Sequence, residues 1–437
     1  MTKKLSVMSH LPLDSTASMR SLYFSPLIPA VARVTEAFGH CCKAIPDARW
    51  LEQGCLRVLS QNTSGRGHVQ QLSDHNMMTV IRQTMQATLH SKRRLDFITA
   101  VNTAVRDQLL REKNDPFLAI SSLRDFHIYA ADGHYHEHAT HDAPIDGKKR
   151  AVQHFYALNL RTQALSHLSI AESGGDDERK REHDMRALKR LTIEALRQQG
   201  PVGKKVLYVY DRAGIDYQAW TKWKKHGVYF ISREKSNTAL KVCGPLPFKK
   251  NDPHNYGILS DDCVGSANSF SMIRRITYWC PESNEVMSFL TNVFDDIPPG
   301  VIVYLYKRRW DIEKIFDTVK HSYQEMKAWA SGDTAKSIQA HFICLQHNLA
   351  CLFEQKCPYQ AIEKPHHLRA VKRINELKQK VASRNNPPQA ITSLYQAVIR
   401  LSQHPVTYLR WLRVSLEHHL LVSEALVRLA RHKALKL

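Results

Sequence analysis

Two short apolar runs that each lead into an aspartate constrain this chain more than any other feature. Phe126 to Ala131 (FHIYAA) leads into Asp132-Gly133, and Val206 to Tyr210 (VLYVY) leads into Asp211-Arg212-Ala213-Gly214. Apolar and aromatic runs of this length, bounded by turn residues, read as strands with a carboxylate at the exit. Between them, His154 to Leu160 and Ala164 to Ile170 flank Arg161-Thr162-Gln163 and read as a hairpin. Glu182 to Gln199 has an amphipathic helical period that stops at Gly200-Pro201. Tyr217 to His226 reads as a helix and Val228 to Ser232 (VYFIS) as a further strand. Strand, hairpin, helix, strand, helix, strand is the pattern of an α/β layer architecture with a mixed sheet.

Outside this stretch the pattern changes. Val31 to Phe38, Arg49 to Leu59, Met77 to Leu89 and Leu95 to Leu110 carry apolar residues at three- and four-residue spacing, so residues 1–125 read as a helical segment. Gln61 to Gly67 reads as a loop, and Ser91-Lys92-Arg93-Arg94 as a solvated helix start, with phosphate contact as its alternative. Residues 236–300 lose the helical period. Their short runs, among them Arg275 to Trp279 and Val286 to Leu290, are separated by Pro253, Gly257, Gly265 and Pro281, the marks of a β-rich insertion. Val301 to Lys320 then reads as one strong helix, and the chain from 334 to 437 as helical with breaks near Pro358, Pro365 and Pro387-Pro388. The expected division is 1–125, a core in two parts at 126–235 and 301–333, the insertion at 236–300, and 334–437.

Charge narrows the function. The 437 residues hold 62 Lys and Arg against 41 Asp and Glu, a formal net charge of +21, which draws polyanions and nucleic acid above all. The surplus is uneven: residues 1–125 carry +6, residues 330–437 carry +10, and the longer middle only +5. A middle that keeps its carboxylates in so basic a chain points to carboxylate chemistry there. At 43% hydrophobic the chain can bury a core, which excludes full disorder. No run approaches the roughly 18 apolar residues of a membrane span, and His10, Pro12 and Asp14 interrupt the N-terminal apolar stretch, against a signal peptide. Nine scattered cysteines without a CxxC pair suit free thiols in a reducing cytoplasm.

The helix from Val301 to Lys320 carries the sharpest pattern. At about 100° per residue from Tyr306, Arg309 falls near about −60°, Glu313 near about −20° and Lys320 near about −40°. Ile312, Ile315, Phe316 and Val319 fall on the opposite side. One face is core; the other presents a carboxylate between two cations and a phenol. Such a set can hold a divalent metal and phosphate oxygens, although a salt-bridged solvent face would look the same.

Tyr306, Arg309, Glu313 and Lys320 match the Y-x2-R-x3-E-x6-K signature of DDE-type bacterial insertion-sequence transposases, the insertion-sequence-four family branch, and the chain resembles that family from residue 126 to about 350. Leu305, Trp310 and Gly227 to Arg233 (GVYFISR) resemble it as well. The resemblance implies a ribonuclease-H-like catalytic core with Asp132, Asp211 and Glu313 as catalytic and metal-binding residues. It implies two Mg²⁺ (or Mn²⁺) ions, and hard oxygen ligands suit those ions. By the same resemblance Tyr306, Arg309 and Lys320 contact DNA near the cleaved end, and Trp279 of the insertion is a candidate to stack on an extruded base. The implied partners are double-stranded DNA with terminal inverted repeats and target DNA, held by a homodimer on DNA with no membrane involved. A ribonuclease-H-like nuclease without strand transfer and a non-catalytic DNA-binding descendant are the alternative readings.

Other residues compete for these roles. Asp142 and Asp146 rival Asp132, Asp216 rivals Asp211, and Asp317, near about +20° on the helix, rivals Glu313. His134, His136, His138 and His141 alternate along one segment, either as a hydrophilic loop or as a site for zinc or another soft ion, with Glu137 on the other face.

Overall fold

The computed structural model describes residues 23–356 apart from 39–44, 60–63, 75–81, 110–114, 116, 145–146, 150, 172–188, 212–216, 236–237, 239, 266–271, 281–283, 295 and 324–326; Lys372 is also described. Its centre is one mixed sheet of nine strands in the order β3-β2-β1-β4-β5-β9-β8-β7-β6. The strands are β1 (Phe126–His136), β2 (Val152–Asn159), β3 (Leu165–Ile170), β4 (Lys205–Tyr210), β5 (Val228–Arg233), β6 (Lys241–Pro245), β7 (Ile258–Gly265), β8 (Met272–Cys280) and β9 (Glu285–Thr291). Only β1–β4 and β4–β5 pair in parallel; the hairpin β2–β3 and all the other pairs are antiparallel. The strand-rich reading of 236–300 thus holds in β6 to β9. These strands form no sheet of their own, because β9 pairs with β5 through Ile231↔Thr291 and Arg233↔Phe289.

The N-terminal helices are α1 (Leu27–Phe38), α2 (Asp47–Leu59), α3 (Gly65–Asp74), α4 (Arg82–Thr88) and α5 (Lys92–Asp107). Two expectations need correction here. The expected loop 61–67 is already helical from Gly65, because Ser64 stops the chain by accepting the Gly67 N–H through its hydroxyl. The basic run 92–94 does start a helix and Lys92 is exposed, but its two arginines turn to a buried partner rather than to solvent. Ser91 caps α5, while Arg93 and Arg94 both bind the buried carboxylate of Asp47 and Arg94 also reaches the Ile45 carbonyl. A buried arginine needs such a partner, and Asp47 supplies it.

Between β3 and β4 the expected helix 182–199 is interrupted. Its start lies outside the described residues; Thr192 is extended and caps only the short α6 (Ile193–Arg197). The next helix, α7 (Tyr217–Lys225), packs Trp220 and Trp223 with Leu196 of α6 against Tyr129, Tyr208 and Phe230 on one face of the sheet. The opposite face, formed by Ile128, Ala130, Leu207, Val209 and Ile231, is covered by α8 (Pro299–Arg308) and α9 (Trp310–Thr318). Ile312, Ile315 and Phe316 are buried there, each worth roughly 1.5–3 kcal/mol of transfer free energy.

The expected single helix 301–320 is therefore two α-helices and a π-helical turn (Val319–Tyr323). They meet at Arg309, where Arg309 N–H donates to the Tyr306 carbonyl and Ile312 N–H to the Arg309 carbonyl, the tighter three-residue spacing. The start of α8 is seated on the turn Pro253–Asn255. Gly300 N–H donates to Asn255 Oδ1, and a Cβ on Gly300 would lie 1.6 Å from the His254 carbonyl oxygen. The last described helix, α10 (Asp333–Lys356), packs on α5, α2 and β3, so the described part of 334–437 shares a core with the N-terminal helices.

Candidate active site

The register of three parallel strands builds the site. Ala130 of β1 pairs with Val209 of β4, and both face α8 and α9. Side chains two residues on return to the same face, so Asp132 and Asp211 stand side by side, on strands about 4.8 Å apart. By the same count Arg233, two residues beyond Ile231 of β5, joins them, since Val209 pairs with Ile231. Asp211 follows the end of β4 as expected. Asp132 does not follow the end of β1. The strand runs on to His136, because β2 pairs with it continuously up to His136↔Val152. Pairing with β4 ends at Ala130, so Asp132 lies where that edge of β1 becomes free.

The helical joint closes over these aspartates. Arg309 Nη1 lies 3.0 Å from Asp132 Oδ2, and its Nη2 2.8 Å from Glu313 Oε1. The Tyr306 hydroxyl donates to Asp211 Oδ1 at 3.0 Å. Burial and then the negative charge of Asp211 push the Tyr306 phenol up to about 12, so it remains a donor. Burial opposes the Arg309 charge, but Asp132, Asp211 and Glu313 outweigh it and its pKa is raised. The preceding Arg308 does the opposite job: fully buried, it turns into the core and binds Asp311 at 2.6 Å and Tyr304 at 3.3 Å.

Tyr306, Arg309, Glu313, Asp132 and Asp211 are thus brought together. Lys320 is exposed on the π-helical turn, where its charge reaches His134. Trp279 is not brought in. It is four residues along β8 from Arg275, which aligns through Leu290 and Ser232 with Tyr210, so it lies about 13 Å along and about 14 Å across the sheet. Its indole N–H donates to Asn284 Oδ1. Of the rivals, Asp142 is tied to Lys336 and the Ala139 N–H, Asp317 is exposed, and Asp146 and Asp216 lie outside the described residues. Among the described residues no three His, Cys, Asp or Glu side chains are grouped to hold a metal ion. The donor chemistry of the three carboxylates suits a hard cation, but a guanidinium stands between two of them.

The histidine segment differs from both expectations. His134 and His136 are buried in β1, His138 is half-buried and His141 exposed. They begin a ladder of rings: His134 stacks on Phe316 at 4.6 Å, His136 meets His154, His154 Nδ1 lies 3.1 Å from His167 Nε2, and His167 packs on His341 of α10. Burial lowers all the rings whose shift is resolved: His134 to about 4, with help from Lys320, His341 to about 4, and His154 and His167 well below the ordinary value. No sequence pattern marks His154, His167 and His341, which stand on three separate elements. Arg233 was legible in principle, as the last residue of the strand neighbouring β4.

Residues 136–349 match the family model of the transposase DDE domain. A protein of Sinorhizobium fredii (strain NBRC 101917 / NGR234) titled "Putative transposase y4zB" is 28% identical over 138 residues, 30% of this chain. The chain spans 38% of that relative's length. The matched domain includes Asp211, Tyr306, Arg309, Glu313 and Lys320 and begins four residues after Asp132. The first similarity is to a transposase DDE domain and the second to a protein titled a transposase, each over less than half of this chain.

Proposed function

We propose that the chain is a DDE-type transposase of the insertion-sequence-four branch, with a ribonuclease-H-like core. It would cut the ends of an insertion sequence and join the freed 3′-hydroxyls to target DNA. One observation carries the reading: aspartates two residues beyond a paired Ala130 and Val209 share a sheet face, and the glutamate of a later helix is tied to the same guanidinium as the first of them. Asp132, Asp211 and Glu313 are the proposed ligands, and Mg²⁺ or Mn²⁺ held by them would supply charge neutralisation and an activated water at a scissile phosphate. Arg309, Lys320 and Arg233 would bind phosphate oxygens, Arg309 in bidentate fashion. Tyr306, kept protonated beside Asp211, would donate to a phosphate or hold that carboxylate in place. The helical segments 1–125 and 334–437, with their basic surplus, are the proposed holders of the element ends and of a homodimer. Trp279 is the proposed stacking residue, provided that DNA reaches that far along β8.

The test uses the full chain, duplexes carrying the ends of its own element, target DNA, and Mg²⁺ or Mn²⁺ in turn. Products in which an end is covalently joined to target DNA are expected. Cleavage without joined product would instead establish the nuclease alternative, and binding without cleavage in either metal the non-catalytic one.

A further inference from the structure

Two of the three carboxylates that the proposed chemistry needs are already occupied, and by one side chain. Arg309 is 5% exposed and gives one terminal nitrogen to Asp132 and the other to Glu313, while Asp211 adds its field and is bound by Tyr306. A guanidinium keeps its charge at any working pH, so protonation equilibria do not dislodge it. With a cation already between Asp132 and Glu313, a divalent ion must displace two charge-assisted bonds before it gains two carboxylates. The arginine also sits on a joint. It lies between α8 and α9 where the helical hydrogen bonds tighten, its Nε has no hydrogen-bond partner, and the exposed Trp310 ring lies 5.4 Å from its Cζ. The guanidinium is bound through its two terminal nitrogens and has an aromatic surface beside it.

We infer that Arg309 is a latch on the carboxylates: without DNA its guanidinium closes Asp132 and Glu313 to a divalent cation, and a DNA phosphate that takes the guanidinium opens them. This rests on the transposase reading. It makes metal and DNA binding mutually dependent, since each favours the state with Arg309 withdrawn, and such coupling is reciprocal. Three carboxylates left near one another without a counter-ion would repel, so the latch also explains how the site assembles metal-free.

The test measures binding of Mn²⁺ itself to the full chain, by electron paramagnetic resonance of the free ion, with and without a 30-base-pair duplex of arbitrary sequence. Wild type without DNA is expected to bind Mn²⁺ about tenfold or more weakly than Arg309→Gln, and the duplex to close that gap for wild type while hardly changing the variant. Arg309→Lys, which keeps a charge but replaces the guanidinium fork with a single, shorter-reaching ammonium, is expected to fall between them and covers the case in which the glutamine variant does not fold. Equal Mn²⁺ affinities in all three chains, still lost on Asp132→Asn or Glu313→Gln, would overturn the latch and leave the transposase reading standing. Mn²⁺ binding that ignores Asp132→Asn and Glu313→Gln in the Arg309→Lys background would overturn the metal site and the latch with it.

Discussion

One face of β1 carries three polar side chains in a row, and the fold treats them in two opposite ways. Asp132 stays partly open under a guanidinium, whereas His134 and His136, two and four residues on, are buried, His134 under Phe316 with its pKa lowered to about 4 and His136 against the Tyr156 hydroxyl. The strand alternation that aims them is the same. What differs is the cover: the joint between α8 and α9 lays an arginine over the aspartate, and about two turns later α9 lays a benzene ring over the histidine. Polar residues on a sheet face are therefore left partly open or built into the framework according to the helix residue above them. A carboxylate cannot be buried without a cation, while an imidazole can shed its charge and stack.

The largest effect should come at the charged end. Asp132→Asn, Asp211→Asn and Glu313→Gln are each expected to lower end cleavage by about a thousandfold or more, with DNA retention on gels nearly unchanged. Wild-type turnover in any one of them would remove that residue from the site. At the neutral end Phe316→Ala should cost about 3 kcal/mol of stability by urea unfolding, through the cavity and the loss of cover on His134. A loss below about 1 kcal/mol would mean that the ring is not part of the histidine framework.

The third test is pH. His154, His167 and His341 have folded pKa values depressed below their unfolded value of about 6.5, the last to about 4. As pH falls below about 6.5 the unfolded chain takes up protons that the folded chain refuses, so the ladder's contribution is complete above that pH and is lost towards about 4. The urea midpoint should drop across that window, and His341→Gln should flatten the slope. A midpoint independent of pH between 7 and 4.5 would contradict the neutral ladder. The smallest effect is expected from Lys320→Ala: weaker DNA binding of all sequences alike, with the salt slope reduced by about one.

How much of this was legible follows from how local the signal was. Tyr306, Arg309 and Glu313 share one helix face by arithmetic, so their meeting could be read directly. Asp211 could be read as well, because a buried strand stops at Tyr210. Asp132 was found for a partly mistaken reason, since β1 does not end there but merely loses its neighbour β4. The histidine ladder was hidden because its rungs come from β1, β2, β3 and α10, and a single histidine in a strand has no periodic mark. The buried pairing of Arg93 and Arg94 with Asp47 was hidden likewise, being a contact across 46 and 47 residues.

The pairing of β9 with β5 has a mechanical consequence. A β-rich insertion joined by linkers could swing on its own; one that continues the hydrogen-bond ladder cannot, and its next contact, Gly300 on the His254 turn, fastens it to the start of α8 as well. From β4 to the outer strand β6 there are five strand spacings, about 24 Å of continuous ladder. Whatever rests against the β6 edge is therefore held at a fixed reach from Asp211, as if the sheet were a ruler with its zero at the carboxylates.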